Sequence, residues 1–330
     1  MAISILLFIL GLVCLIFGGD WFVDGAVGIA HKLRIPEILI GATVVSIGTT
    51  LPEVMVSATS AVTGHGEIAY GNAIGSIICN TALVLAITIA IRPAKAEAKD
   101  IYLTAAFFFA AAIIYAVSAY FIGAFTRIIG IVLLLLFVVY MAISVCRSLK
   151  LAKISKIETA DKTEEETETK SFKNSFVMII IKLIVGAALI AVGADLLVDN
   201  GTIIAENFGV PESVIALTFV ALGTSLPELV TAVTSLIKGH GSLSLGNIIG
   251  ANLFNLVLVS GLSITISPFT VPSSKLLFGQ NSSLVLDMPL MFIVMLILVI
   301  PVLIRNKLSR VQGIILLAIY AGFCVMQFVF

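Results

Sequence analysis

The hexapeptide GTTLPE at residues 48–53 returns as GTSLPE at residues 223–228, each time in the middle of a long apolar run. Working outward from this pair with a shift of 175 positions, residues 20–80 align on residues 195–255 without a gap, and 25 of the 61 positions are identical. The identities include Asp20 with Asp195, Pro36 with Pro211, Glu53 with Glu228, His65 with His240, Asn72 with Asn247 and Asn80 with Asn255. A shared membrane composition matches apolar residues; it does not hold polar ones at a fixed offset. The chain is therefore an internal duplication.

Of the 330 residues, 60% are hydrophobic and 12% charged, and the mean hydropathy is +1.18. A soluble domain carries about 25% charged residues, so a water-facing globule of this size is excluded. The apolar content also excludes disorder. The 19 basic and 19 acidic residues cancel, which leaves no electrostatic footprint for nucleic acid. Cys14, Cys79, Cys146 and Cys324 lie in or beside apolar runs and form no CxxC pair. They read as small buried residues, not as a disulfide frame or a zinc site. No basic stretch precedes the first apolar run, whose first charge is Asp20, so that run is expected to be a span and not a cleaved signal.

Continuous apolar runs fall at about 2–22, 38–62, 69–91, 101–120, 124–146, 175–198, 213–237, 243–267, 284–304 and 311–329. Barrel strands alternate apolar and polar residues and these runs do not, so ten transmembrane helices are expected. The expected fold class is an all-α polytopic membrane protein. A first five-helix repeat spans 1–146, a polar linker 147–174 and a second five-helix repeat 175–330. With ten spans, alternate loops share a side, and one such set of loops holds 16 of the 19 Lys and Arg residues. The positive-inside preference puts that set, the linker included, in the cytoplasm and both termini outside. The DKTEEETETK run reads as part of a solvated tether. Five is an odd number, so the second repeat enters the membrane from the opposite side. Duplicated units of opposite topology are the inverted-repeat plan of secondary transporters, whose substrate sites lie near the midplane at the repeat interface.

The chemistry sits at the two hexapeptides. Gly and Pro four residues apart are expected to interrupt each helix, and freed carbonyls at membrane depth persist only beside protein or a hydrated cavity. Thr49, Thr50, Thr224 and Ser225 add hydroxyl oxygens at the break, and Glu53 and Glu228 place a carboxylate just beyond it. An ionised carboxyl at that depth is costly unless paired, and neither span holds a Lys or Arg. In GNAIGSIICN at 71–80, Asn72, Ser76 and Asn80 recur every four residues; in GNIIGANLFN at 246–255, Asn247 and Asn255 match the outer two and Ala251 replaces the serine. Such a stripe lines one helix face and is expected to face the glutamates, with Asn80 and Asn255 supplying amide oxygens. A donor set of oxygens alone suits hard cations such as Ca²⁺, which takes about 6–8 of them, and not zinc or copper. Two other readings of the glutamates stay open here: protonated carboxyls closing a hydrogen bond between helices, and a proton relay.

The motifs GTTLPE and GTSLPE, each followed by a GN…GS or GN…GA segment ending in Asn, resemble the two alpha repeats of the calcium/cation antiporter superfamily, and within it the prokaryotic sodium/calcium exchanger branch. The likeness covers nearly the whole chain, including GGDWFVDG at 18–25 and its weaker twin GADLLVDNG at 193–201. It implies a ten-helix, two-repeat carrier of the cell membrane that exchanges Na⁺ for Ca²⁺ by alternating access. The bilayer and the two ions are then its partners; no cofactor motif appears and no obligatory protein partner is evident. Carried onto this chain, the family's ion site has Glu53 and Glu228 as central carboxylates. Thr49, Thr50, Thr224 and Ser225 match its hydroxyl or carbonyl ligands, Ser46 and Ala221 its backbone oxygens, and Ser76, Asn80 and Asn255 complete it. Two positions depart from the pattern: Ala251 lacks the hydroxyl of many relatives, and Asn255 stands where many carry aspartate, which lowers the charge of the site by one.

Potassium-coupled relatives are acidic at the Asn255 position, and proton-coupled ones show GN…E in place of GTSLPE; both departures weigh against coupling to K⁺ or H⁺, which is kept as the alternative reading. A rival from another class is an intramembrane hydrolase with the two glutamates as acid and base. HExxH, Ser–His and GxGD patterns are missing, and an enzyme does not require opposite-facing halves, so no enzymatic activity is expected. His65 and His240 read as turn residues. The sequons at Asn200 and Asn281 are expected in outside loops, and Asp20, Asp24, Asp195 and Asp199 are expected to cap or orient helices.

Overall fold

The computed structural model describes residues 2–93, 96–160, 169–208, 223–273, 276–277 and 279–329. Helix dominates because long apolar stretches leave backbone N–H and C=O groups no partner but each other. In chain order the helices are α1 (Ala2–Leu33), α2 (Glu37–Val62), α3 (Gly66–Ile91), α4 (Ala98–Ile122), α5 (Arg127–Ala160), α6 (Thr169–Asn207), α7 (Leu226–Ile237), α8 (Gly241–Ile266), α9 (Ser283–Arg305) and α10 (Arg310–Val329). Among the described residues, nine of them, all but α7, are long and apolar enough to cross a membrane. The expected span 213–237 is described only from residue 223 on, where its end forms α7. Large apolar side chains face outward: Ile3 is 74% exposed, Phe121 85% and Ile128 73%. A surface of that kind is suited to lipid.

The Gly–Pro interruption occurs in one repeat only. α2 runs through Pro52 without a break; the helix widens earlier instead, in a π-turn at Gly41–Val45. The Ser46 hydroxyl donates to the Gly41 carbonyl at 2.7 Å and closes that wide turn. In the second repeat Thr224 and Ser225 form a turn and α7 begins at Leu226, with Pro227 in its first turn. There a missing N–H costs nothing. The position matching Ser46 is Ala221, which has no hydroxyl and lies outside the described residues.

Part of the expected linker is helical as well. α5 continues through Arg147 to Ala160, a stretch free of Gly and Pro and rich in Lys, Leu and Ile. The Asn200 sequon does not lie in an outside loop: Asn200 sits inside α6, is 6% exposed and donates its amide to the Leu196 carbonyl at 2.8 Å.

The chain divides into two compact units, Met1–Thr49 with Met141–Asn247 and Thr50–Tyr140 with Ile248–Phe330. Each therefore draws on both halves of the duplication. In the first unit α1 and α6 meet along glycines. A Cβ on Gly11 would lie 2.9 Å from the Gly193 carbonyl oxygen, and one on Gly193 would lie 2.9 Å from that of Gly11; Gly18 and Gly186 face each other's carbonyls in the same way at 3.0 and 2.9 Å. The offset of 175 converts the pair Gly11–Gly193 into Gly186–Gly18, so each contact is the counterpart of the other, as a two-fold relation between the helices produces. Small residues are what lets two membrane helices approach this closely. Phe22, Val23, Ala26, Ile190 and Leu243 fill the apolar core beside them.

The same unit holds an ion cluster. Lys238, at the end of α7, donates to Asp20 Oδ1 at 2.6 Å and Asp24 Oδ1 at 2.5 Å, and Lys182 pairs with Asp24 Oδ2 at 3.1 Å. The two aspartates of α1 thus tie it to α6 and α7; they do more than cap a helix. Replacing Lys238 with methionine leaves Asp24 with Lys182 alone and removes the ion pair of Asp20. The melting temperature of the detergent-purified protein should fall by about 3 °C or more, whereas Lys99→Met, which breaks the exposed Lys99–Glu97 pair, should leave it nearly unchanged. Differential scanning fluorimetry of both variants checks this.

In the second unit the duplication is again visible in packing. A Cβ on Gly130 of α5 would meet the Gly261 carbonyl at 2.9 Å and the Thr265 nitrogen at 2.7 Å; one on Gly313 of α10 would meet the Ala86 carbonyl and the Ala90 nitrogen, each at 2.7 Å. Ala86 and Ala90 are the positions 175 before Gly261 and Thr265. The last helix of each half therefore rests on a helix that belongs to the other. A short antiparallel ribbon pairs Ala124–Phe125 with Phe269–Thr270, and Phe125 stacks on Tyr115 at 4.2 Å.

Candidate functional site

Each unit carries one of the twin carboxylates. In the second unit Glu53 is 0% exposed on α2, one residue past Pro52. Pro52 has no N–H to give to the Gly48 carbonyl, so that oxygen is freed within the helix. Asn72 of α3 donates its Nδ2 to the Glu53 main-chain carbonyl at 3.2 Å and to Ser57 Oγ at 2.8 Å. This pins α3 to α2 at the level of the carboxylate. Thr50 and Ser76 are buried, and the Thr50 hydroxyl has no hydrogen-bond partner among the described residues.

Asn80 and Asn255 are equivalent in structure as well as in sequence. Each opens a π-turn, Asn80–Leu85 in α3 and Asn255–Ser260 in α8. Such turns leave carbonyls out of the regular ladder and are frequent at functional sites. Both side chains are 0% exposed, and neither amide end of either one has a partner among the described residues. Ser260 donates to the Asn255 carbonyl at 3.0 Å and closes the second of these turns.

In the first unit Glu228 is 0% exposed in the opening turn of α7, and both its carboxyl oxygens lack a hydrogen-bond partner among the described residues. The helix start favours negative charge there. Ser225 occupies the N-cap without a side-chain cap bond, and its hydroxyl is likewise unpartnered. Thr224 lies half-buried in the preceding turn. On α2 the Ser46 hydroxyl also donates to the Asn247 carbonyl at 2.9 Å, and Thr49 donates to Asn247 Oδ1 at 3.2 Å. Ser46 and Thr49 are thus tied to α8 through Asn247.

Of the expected site residues, Thr50, Glu53, Ser76, Asn80 and Asn255 fall in the second unit and Ser46, Thr49, Thr224, Ser225 and Glu228 in the first. Ala221 lies outside the described residues. Two residues of the second unit went unread in the sequence. Ser57 holds Asn72, and its signal was its place one helical turn after Glu53. Asn252 is 0% exposed, donates to Thr81 Oγ1 at 2.7 Å and to Met295 Sδ at 3.2 Å, and its carbonyl oxygen has no partner among the described residues. Its counterpart is Ile77, so no duplication pointed to it.

The donors in both units are oxygens and amides. Among the described residues no cluster of three His, Cys, Asp or Glu side chains stands ready to hold a metal permanently. Buried polar groups are almost always hydrogen-bonded, and a buried carboxylate beside unpartnered hydroxyls and amides suits a cargo that arrives and leaves. A polytopic all-α membrane protein with buried oxygen donors at duplicated motifs has the layout of a carrier.

Comparison with known proteins gives the family. The model of the sodium/calcium exchanger protein family matches residues 3–146 and 178–329, and the chain belongs to that family. It is 31% identical to the sodium/calcium exchanger MaX1 of Methanosarcina acetivorans, over 99% of both chains. It is 32% identical to the putative antiporter CaxA of Alkalimonas amylolytica, again over 99% of both. The structure of the sodium-calcium exchanger NCX_Mj soaked with Na⁺ and Sr²⁺ superimposes with a TM-score of 0.79 at 32% identity, covering 97% of each chain. The protein is thus a multi-pass membrane antiporter of the cation/calcium class, and its relatives are exchangers, not enzymes.

Proposed function

We propose that this chain exchanges sodium for calcium by alternating access, at one shared site to which Glu53 and Glu228 each contribute a carboxylate. The two five-helix repeats are inverted with respect to each other, both termini lie outside and the 147–174 linker is cytoplasmic. The observation that carries the reading is the burial of both twin glutamates at 0% exposure, in duplicated motifs with no lysine or arginine in either. Two carboxylates balance one Ca²⁺ or two Na⁺. Holding both kinds of ion together leaves excess positive charge at low dielectric, which is strongly unfavourable, so the ions compete and transport becomes exchange. An empty site with two bare carboxylates resists crossing the membrane, which suppresses leak. The packing pairs Gly11–Gly193 and Gly18–Gly186 support the two-fold relation of the repeats. Names of relatives support the ions: MaX1 and NCX_Mj are sodium/calcium exchangers.

Calcium-45 uptake into proteoliposomes under separate Na⁺, K⁺ and H⁺ gradients tests the coupling. An outward sodium gradient should drive uptake, and collapsing it with a sodium ionophore should stop it. Uptake that follows a proton or potassium gradient and ignores sodium overturns the proposal.

A further inference from the structure

Buried hydroxyls in membrane helices ordinarily bond a carbonyl of the preceding turn, and this chain follows the habit. Thr43 donates to Leu39 at 2.7 Å, Ser263 to Val259 at 2.8 Å and Thr88 to Leu85 at 2.7 Å. Three hydroxyls of the first unit break it. Thr231 and Ser235 on α7 are 0% exposed and Ser244 on α8 is 2% exposed, yet none has a hydrogen-bond partner among the described residues; nor does Asn247 Nδ2.

These groups lie on two helices joined by one turn. Glu228, Thr231 and Ser235 are spaced by three and four residues and share one face of α7; Ser244 and Asn247 share one face of α8. The turn at Lys238–His240 joins the two helices, and the His240 N–H donates to the Ser235 carbonyl at 2.7 Å. By residue count from that turn, Ser235 and Ser244 lie at similar distances along their helices, as do Thr231 and Asn247. At 1.5 Å per residue, the stripe from Ser235 to Glu228 is about 10 Å long. The first repeat has no equal: Val56 and Ala69 replace Thr231 and Ser244, and Asn72 has its amide nitrogen bonded. Unpaired buried donors and acceptors are expensive in a dry core, and a row of them ending at a carboxylate is what a partly hydrated cation requires.

We infer that Thr231, Ser235, Ser244 and Asn247 line a conduit for a hard cation between the Lys238–His240 turn and Glu228, and that the duplication does not repeat it on the other side. The mouth is prepared for a cation. Glu37 places a carboxylate there, 2.9 Å from His240 Nδ1 and bonded by Ser242 Oγ at 3.0 Å, while the charge of Lys238 is held by Asp20 and Asp24.

The inference rests on the sodium/calcium reading, and its test separates the two. Full-length protein carrying Thr231→Val or Ser235→Ala is assayed for equilibrium calcium-45 binding in detergent and for sodium-driven uptake in proteoliposomes. Binding should stay at the wild-type level while turnover falls about tenfold, the effect of roughly one lost hydrogen bond on the barrier. Thr231→Ser keeps the hydroxyl and should keep wild-type turnover. Wild-type turnover in Thr231→Val, with a raised melting temperature, identifies a dry core and overturns the conduit. An equal loss of binding and turnover makes these residues ligands and overturns it too, as does a Thr231→Ser variant as slow as Thr231→Val. If Thr231→Val does not fold, Ser235→Ala carries the same comparison. Absence of sodium-driven uptake in the wild type removes the sodium/calcium reading and the conduit with it; intact uptake in wild type and variants alike removes the conduit alone.

Discussion

Glu53→Gln and Glu228→Gln are each expected to abolish sodium-driven calcium uptake. Glutamine keeps the shape of the side chain and one carbonyl oxygen, and deletes the charge. A unit-charge pair at 4 Å is worth about 4 kcal/mol at an effective dielectric near 20. Calcium carries two charges, so the loss in affinity is at least about a thousandfold, and uptake into sodium-loaded proteoliposomes falls to background. The folded protein does not suffer in the same way. Both glutamates are 0% exposed, and a neutral amide is cheaper to bury than an ionised carboxyl, so both variants should melt at or above the wild-type temperature. Loss of transport with retained or raised stability separates an ion ligand from a structural residue. Wild-type-like uptake in both variants would remove the carboxylate site.

The largest effect on stability is expected from Gly186→Val. A Cβ at this position would lie 2.5 Å from the Phe22 nitrogen, 2.8 Å from its Cα and 2.9 Å from the Gly18 carbonyl oxygen. All three are backbone atoms of α1, so no rotamer change relieves the clash and the helices must separate. Overpacking in a well-filled interior costs about 1–3 kcal/mol, and a clash against backbone belongs at or above the top of that range. The variant should lose most of its monodisperse peak on size-exclusion chromatography and melt well below the wild type. Gly71→Val is the control: a Cβ on Gly71 meets nothing within 4 Å, and its helix should remain intact. Equal behaviour of the two variants would mean that the α1–α6 contact does not hold the first unit together.

Much of this protein was legible in the chain because it is written twice. A duplicated GTTLPE/GTSLPE motif with polar identities at one offset marks Glu53 and Glu228 without any coordinates, and long unbroken apolar runs locate helices because a bilayer leaves them no alternative. The same offset matches Asn80 with Asn255; that each opens a π-turn came only from the structure. The reading failed where two copies of one motif face different neighbours. Pro52 lies within a continuous helix while Pro227 starts one, although the two hexapeptides differ by a single hydroxyl residue, Thr50 against Ser225. Asn252 and Ser57 escaped notice because their counterparts, Ile77 and Ala232, are apolar and a search for matched pairs passes over unmatched ones. Asn200 was misplaced for another reason: an Asn-Gly-Thr triplet resembles a loop signal, but α6 carries on through it.

Residue order alone determined the membrane setting, the helical architecture, the duplication and the two acidic positions on which exchange is proposed to depend. These are properties of composition, periodicity and offset, and they need no knowledge of what lies nearby in space. Tertiary structure alone decided that the compact units cut across the duplicated halves, and that α1 lies on α6 glycine to glycine. It also decided which buried oxygens are spent on neighbours, as at Ser46 and Thr49, and which have no partner among the described residues, as at Thr231 and Ser235. A hydroxyl's partner is chosen by distance and direction between helices far apart in the chain, and no local pattern in the sequence carries that information.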